Sequence, residues 1–271
     1  MPTCVRGGAE GIVGCPLDVV WWETGTHMSA RRTLAFLLSF PLVVGLAQPA
    51  TARTGAVEPA TAPVARVQAT QSTAGDVLRR GDSGPKVKAL QQRLQQLKYW
   101  TGPADGRFGN LTQQAVYAFQ KAQGLPRDAV VGPKTRARLR DPRAVGRRSR
   151  SGRVVEIDKR RQILILVRNG TVQWIFNTST GTEKPYVYKG KRYMADTPKG
   201  RWRVFRQVKG WRNGELGHLY SPKYFHADGI AIHGYTSVPP QPASHGCARV
   251  TIEASNYLWT RIPIGTGVWI Y

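Results

Sequence analysis

Cysteine is nearly absent from this chain, with three in 271 residues, and two of these, Cys4 and Cys15, precede a segment that reads as an export leader. Only Cys247 belongs to the expected mature protein. An unpaired thiol is unusual in an exported chain and points to a reactive role. Acidic residues are also scarce: 16 Asp and Glu stand against 40 Lys and Arg, a net charge of +24. Ahead of Ala52 the charges cancel, Arg6, Arg31 and Arg32 against Glu10, Asp18 and Glu23, so the whole excess lies C-terminal to that residue. Such a chain is drawn to polyanions, whether nucleic acid, anionic lipid or a wall rich in carboxylates and phosphates. Long apolar runs are missing as well. The run Thr33–Leu46 is too short to span a bilayer comfortably. It comes after Met28-Ser-Ala-Arg31-Arg32 and precedes Ala50-Thr51-Ala52, the order of a signal peptide with an Ala-x-Ala cleavage site. Residues 28–52 therefore read as a leader processed after Ala52, with no stable membrane anchor afterwards. Residues 1–27 read as an over-extended N-terminus. Export selects an anionic cell wall over nucleic acid as the polyanion, and places the protein in the wall, a periplasm-equivalent or the extracellular space.

Composition divides the remainder. Residues 53–75, rich in Ala, Thr, Pro and Val without period, read as a flexible linker. Asp82 or Ser83 as cap and Pro85 in the first turn then open a helix with the apolar stripe Val87, Leu90, Leu94 and Leu97. Asp105-Gly106-Arg-Phe108-Gly109 is a turn, Ala115, Val116, Phe119 and Ala122 line a second helix ending at Gly124, and Pro133–Leu139 is a short third. Residues 141–152, basic and poor in apolar side chains, read as a solvated linker. From Val154 the period becomes two. Strands are expected at Val154–Ile157, Gln162–Arg168 and Thr171–Thr178, the last two joined at Asn169-Gly170, a strong hairpin signal. Further strands are expected at Arg201–Gln207, Gly229–His233, Ala248–Ile252 and Gly267–Ile270, with a helix near Ile252–Arg261. The fold class is thus multidomain α and β: a small three-helix bundle over 76–140 and a mostly-β domain over 153–271. Lys184–Tyr193 and the loop carrying Pro239, Pro240 and Pro242 are expected to wall a cleft.

The chemistry concentrates in Ile230-Ala-Ile-His233-Gly234 and Ser244-His245-Gly246-Cys247-Ala-Arg249. A thiol attacks carbonyls as its thiolate, and a nearby imidazole takes its proton. Glycine beside a nucleophile lets backbone N–H groups reach a developing oxyanion. The competing reading makes Cys247 a small buried hydrophobe. Two residues from Cys247 on an extended segment, His245 shares its face, so both His233 and His245 stand as bases on geometry alone. Between His226 and Glu253 the only carboxylate is Asp228, leaving few local candidates to orient an imidazole. A zinc site built from His226, His233, His245 and Asp228 is the metal alternative, but neither His-x-x-x-Asp nor His-Glu-x-x-His spacing occurs, and it gives Cys247 no purpose.

His233, then Ser244-His245-Gly246-Cys247-Ala-Arg249, resembles the signature of the L,D-transpeptidases, peptidoglycan cross-linking enzymes, and Thr197–Trp202 and Tyr220–Phe225 extend the resemblance over 153–271. Gly81-Asp82, Leu90-Gln91, Asp105-Gly106, Phe108-Gly109, Phe119-Gln120 and Gly132-Pro133 similarly resemble the three-helix peptidoglycan-binding domain, which serves as wall binder, spacer or docked partner. Lys98 and Ala129 stand where that family usually has glycine. The resemblance implies Cys247 as nucleophile, His233 as base and then acid, and the Gly234 carbonyl as orienter of His233. It implies a role for His245 in substrate contact or in shaping the nucleophile turn, with no cofactor and no metal. The N–H groups of Gly246 and Cys247 are the expected oxyanion donors, Tyr220 or Tyr224 a third, with Ser244 in the substrate-binding set. Arg249 either pairs with a substrate carboxylate or forms a structural salt bridge. The implied partners are peptidoglycan stem peptides, donor and acceptor, joined 3→3 through a thioester. With water as acceptor the same site is an L,D-carboxypeptidase. A non-catalytic wall-binding protein is the remaining alternative.

Overall fold

The computed structural model describes residues 77–271, so the over-extended N-terminus, leader and flexible linker expected over 1–75 lie outside the described residues. Three helices come first: α1 (Pro85–Gln96), α2 (Asn110–Gln123) and α3 (Pro133–Arg140). The stripe Val87, Leu90 and Leu94 buries inward with Ala115, Val116 and Phe119 of α2, as spacings of three and four require. Neither Asp82 nor Ser83 caps α1. Gly84 occupies the N-cap with no side-chain bond, Pro85 is at N1, and Asp82 instead accepts from the Arg79 N–H.

Lys98 and Ala129 both have positive φ, 68° and 58°. A β-carbon is costly in this region, which is why glycine suits such turns. The backbone at Lys98 is fixed from both ends, by its N–H to Gln95 and by its carbonyl accepting from Ile175.

The β domain begins with β1 (Arg153–Asp158), β2 (Ile163–Arg168) and β3 (Thr171–Asn177), then the hairpin β4 (Pro185–Tyr188) and β5 (Lys191–Met194). After these come β6 (Gly200–Arg203), β7 (Arg206–Gln207), β8 (Trp211–Gly214), β9 (Gly217–Tyr224), β10 (Ala231–Tyr235), β11 (Ala248–Thr251), α4 (Ile252–Leu258) and β12 (Gly267–Ile270). One sheet runs β3-β2-β1-β12-β6, and a second runs β11-β10-β9-β7 with β8 on β9. Between them lies a core of Val155, Ile157, Leu164, Leu166, Phe176, Ile232, Val250, Leu258 and Val268. The single strand expected over Arg201–Gln207 is broken into β6 and β7, each in a different sheet. Asn169 and Gly170, with φ of 47° and 70°, make the tight turn between β2 and β3.

The β2 run Ile163-Leu-Ile-Leu-Val167 is buried throughout. Leu164 and Leu166 face the intersheet core, while Ile163, Ile165 and Val167, with Ile175 of β3, enter the core of the helical bundle. The bundle is thus docked on the outer face of the first sheet. Backbone bonds from Trp100 N–H to the Ile175 carbonyl and from Ile175 N–H to the Lys98 carbonyl continue the sheet into the bundle. Lys121 of α2 is buried at this junction, donating to the carbonyls of Gln162 and Thr178 and to Asn177 Oδ1. Removal from water disfavours its charge, while the three acceptors favour the ammonium that can donate to all of them.

Residues 141–152 are largely exposed, Ser149 alone being buried, and are nevertheless tied to both domains. Gln123 brackets Arg143 through that residue's N–H and carbonyl. Arg148 N–H, Ser149 N–H and Ser149 Oγ all donate to the buried Glu156 carboxylate, and Arg148 lies over the Tyr271 ring at 3.5 Å. The arginines stay exposed while buried Glu156 draws the backbone at Arg148 and Ser149 inward.

Replacing Lys98 by glycine is expected to raise stability by a few tenths to about 1 kcal/mol, because relief of about 1–2 kcal/mol of left-handed strain exceeds glycine's entropic cost of about 0.5–1 kcal/mol. Urea unfolding checks this, and an unchanged or lower midpoint in Lys98→Gly would refute it.

Candidate active site

Strands β10 and β11 pair in parallel with His233 opposite Arg249. Cys247 immediately precedes β11. Its Sγ accepts from the Ala231 N–H at 3.4 Å, which ties the thiol to the start of β10. The His233 Nδ1 is 2.9 Å from the Gly234 carbonyl oxygen. A carbonyl can only accept, so Nδ1 carries the proton and Nε2 is left with a lone pair. His233 is 3 % exposed, and burial, aided by the charges of Arg249 and Lys223, holds its conjugate acid down to about 4 against the carbonyl's opposing pull. Burial pushes the Cys247 thiol up. At neutral pH the resting pair is therefore thiol and neutral imidazole.

The turn before Cys247 is held from both sides. Gly246 has φ of 149°, and a β-carbon there would lie 2.8 Å from the Asp196 carbonyl oxygen. The Gly181 N–H donates to Thr197 Oγ1 at 2.9 Å, and that hydroxyl donates to the Gly246 carbonyl at 2.6 Å. Ser244 Oγ donates to the Cys247 carbonyl at 2.6 Å and accepts from the Gly246 N–H at 3.1 Å. The Gly246 N–H is thereby engaged within the turn. Sequence reading missed Thr197 as a site residue. Its only signal was membership of Thr197-Pro198-Lys199-Gly200.

A cleft of about 800 Å³ gathers His233, Ser244, His245, Gly246, Cys247, Arg249 and Tyr224. Tyr220 does not line it. Its hydroxyl donates to Asn256 at 2.9 Å, on the α4 side of β9. Arg249 makes no ion pair among the described residues. Its guanidinium lies 4.2 Å from the Tyr235 ring centroid, one nitrogen donates to Ala243, and its buried Nε has no partner. The expected structural salt bridge is therefore not formed. The exposed His245 packs edge-on to Tyr186, at 4.7 Å between centroids.

One cleft wall is the β4–β5 hairpin, with Tyr186, Tyr188, Tyr193 and Met194. The facing wall is the β8–β9 hairpin, from Gly214 to Leu219, which sequence reading missed. Lys189 and Glu215 join the two hairpin tips at 3.2 Å. The proline-rich loop does not line the cleft. It turns to the helical bundle, where the Val238 carbonyl accepts from Gln114 and the Pro240 carbonyl from Arg127. Among the described residues, no group of three or more His, Cys, Asp or Glu side chains is placed to hold a metal ion.

A family model described as an L,D-transpeptidase catalytic domain matches residues 152–270, and one described as a peptidoglycan binding domain matches 83–139. The solved L,D-transpeptidase from Xylanimonas cellulosilytica is 49% identical, with a TM-score of 0.71, over 73% of this chain and 99% of that one. The chain belongs to the L,D-transpeptidase family and carries a peptidoglycan-binding domain ahead of the catalytic one. Curated relatives are matched over part of their length. An uncharacterized protein of Kitasatospora aureofaciens is 46% identical over 69 residues, 25% of this chain and 58% of that protein. A spore cortex-lytic enzyme of Bacillus cereus is 41% identical over 69 residues, 26% of this chain and 27% of that enzyme.

Thr197→Val keeps the shape of the side chain and removes both hydrogen bonds of a fully buried hydroxyl. It is expected to cost about 1–3 kcal/mol of stability, since the Gly181 N–H and Gly246 carbonyl lose their partner. Turnover should fall as well. Denaturant titration and a transpeptidase turnover assay check this, and wild-type behaviour in both would show that the hydroxyl does not hold the turn.

Proposed function

We propose that the protein is a cysteine-dependent L,D-transpeptidase that joins peptidoglycan stem peptides 3→3 through a thioester. The observation that carries the reading is the meeting in one cleft of His233 on β10 and Cys247, the residue just before the adjacent parallel strand β11, with His233 Nδ1 committed to the Gly234 carbonyl. That commitment leaves Nε2 to act as the base.

Cys247 Sγ attacks the carbonyl of the third stem residue as its proton passes to His233 Nε2. The Cys247 N–H, the member of the predicted donor pair not engaged by Ser244, receives the oxyanion. The intermediate collapses, the bond to the terminal D-alanine breaks, and His233 returns the proton to the departing amine. A side-chain amine of a neighbouring stem then attacks the thioester, loses its proton to His233, and regenerates the thiol. Arg249, with its unpartnered Nε, is the candidate for a substrate carboxylate. Tyr224 and His245 contact the bound stem. Location at the wall accords with this substrate, and the net charge of +24 supports residence on an anionic polymer.

Mass analysis of muropeptides tests the reading. Incubation of tetrapeptide stems with the protein should give dimers lacking one D-alanine. Release of D-alanine with tripeptide and no dimer would make it an L,D-carboxypeptidase, and no release would leave only wall binding. Cys247→Ser and His233→Ala are each expected to lower turnover by about a thousandfold or more, while His245→Ala leaves a measurable remnant. A carbapenem should acylate Cys247, with the mass adduct absent from Cys247→Ser. Normal turnover in His233→Ala beside a dead His245→Ala would reverse the assignment of the base.

The neutral resting pair has its own signature. Alkylation by iodoacetamide tracks the thiolate fraction, so its rate at Cys247 should rise about tenfold per pH unit from about pH 6 to the thiol's own raised pKa. A fast, pH-independent rate would reveal a preformed thiolate instead.

A further inference from the structure

A second cavity, of about 330 Å³, opens at one end of the intersheet layer and shares no lining residue with the catalytic cleft. Arg153 and Arg168 are direct cross-strand partners in β1 and β2, on the face that carries Val155 and Leu166 into the core. Like charges placed opposite each other on one sheet face repel and cost stability. Among the described residues, no ion pair or side-chain hydrogen bond engages either guanidinium, and no carboxylate lines the cavity. Beside them, Trp174 of β3 and Tyr257 of α4 meet edge-to-face at 6.4 Å. Arg261 is held in place, stacked 3.7 Å from the Tyr257 ring centroid with its Nη1 donating to the Tyr257 carbonyl. The cavity therefore offers three guanidinium groups, two unpartnered, next to two half-buried aromatic rings.

Planar guanidinium groups pair with carboxylate or phosphate through parallel N–H donors. Aromatic rings at a cavity wall cover the apolar C–H face of a sugar. We propose that this cavity binds an anionic saccharide of the wall, its carboxylate or phosphate on Arg153 and Arg168 and its ring against Trp174 and Tyr257. The volume lies within the roughly 300–1,000 Å³ of small-ligand sites and suits a short segment of chain. The site lies on the catalytic domain and stands apart from both the binding domain and the reaction.

Calorimetric titration of the full chain with four probes tests this: a glucuronate-containing tetrasaccharide, a tetrasaccharide bearing phosphate in place of the carboxylate, neutral chitotetraose and an oligothymidylate. The two anionic wall-type probes are expected to compete for one site, and the tighter one identifies carboxylate or phosphate as the natural group. Chitotetraose should bind at least about tenfold more weakly, and Arg153→Gln/Arg168→Gln should weaken the anionic probes about tenfold or more, as loss of two charge-assisted contacts requires. Trp174→Ala, which leaves the arginines in place, should also weaken the tetrasaccharide. D-alanine release from a soluble tetrapeptide, read in parallel on the same variants, should not change, which separates this proposal from the catalytic reading. Unaltered affinity in both variants, equal binding of chitotetraose, or oligothymidylate binding as tight as the saccharides would each overturn it.

Discussion

The structure depends on one sheet whose two faces are both buried. Strand β2 sends Leu164 and Leu166 to the intersheet core and Ile163, Ile165 and Val167 into the helical bundle. Burying large aliphatic side chains contributes about 1.5–3 kcal/mol each, so neither face is dispensable. The rest of the β domain is built outward from this strand. The first sheet fixes β1, β1 pairs with β12, and the layer above carries β9, β10 and β11 at a set height and twist. The reacting groups inherit their positions from that layer.

The site is built mostly from backbone. Parallel pairing of β10 and β11 sets His233 against Arg249, the Ala231 N–H locates the sulfur, and the Gly234 carbonyl fixes the tautomer. Thr197 and Ser244 then brace the turn through short hydroxyl bonds to the carbonyls of Gly246 and Cys247. Backbone groups cost little entropy to hold once the sheet exists, so the arrangement is pre-formed before any substrate arrives. With the thiol protonated and the imidazole neutral, the site stores no separated charge in a buried place, where charge is expensive.

Much of this was legible in the sequence. The stripe in α1, the Asn169-Gly170 turn and the His233 and Ser244–Cys247 pattern each carry local signals that tertiary structure left intact. Even the departures at Lys98 and Ala129 pointed to positions of positive φ. What escaped was non-local. Thr197 reaches Gly246 across 49 residues, and no spacing rule links them. The β8–β9 wall has exposed β8 residues, among them Trp211, so the alternation that announces a half-buried strand is missing there. The proline-rich loop looked free because its partners, Gln114 and Arg127, lie in the other domain. The β2 run was read only as a strand of period two, and burial of both its faces escaped because a bundle distant in sequence supplies one of the covers.

A domain that merely hangs beside its neighbour can be moved between genes by a cut in the segment joining them. This bundle cannot. Severing the chain between Arg140 and Arg153 would leave Ile163, Ile165, Val167 and Ile175 facing water on one product, and on the other the hollow that they fill beside Phe119 and Tyr99. The same cut would strip Lys121 of all three of its acceptors, which belong to the β domain. Two sequence modules share one core, so a change in a side chain at their junction is felt on both sides of it.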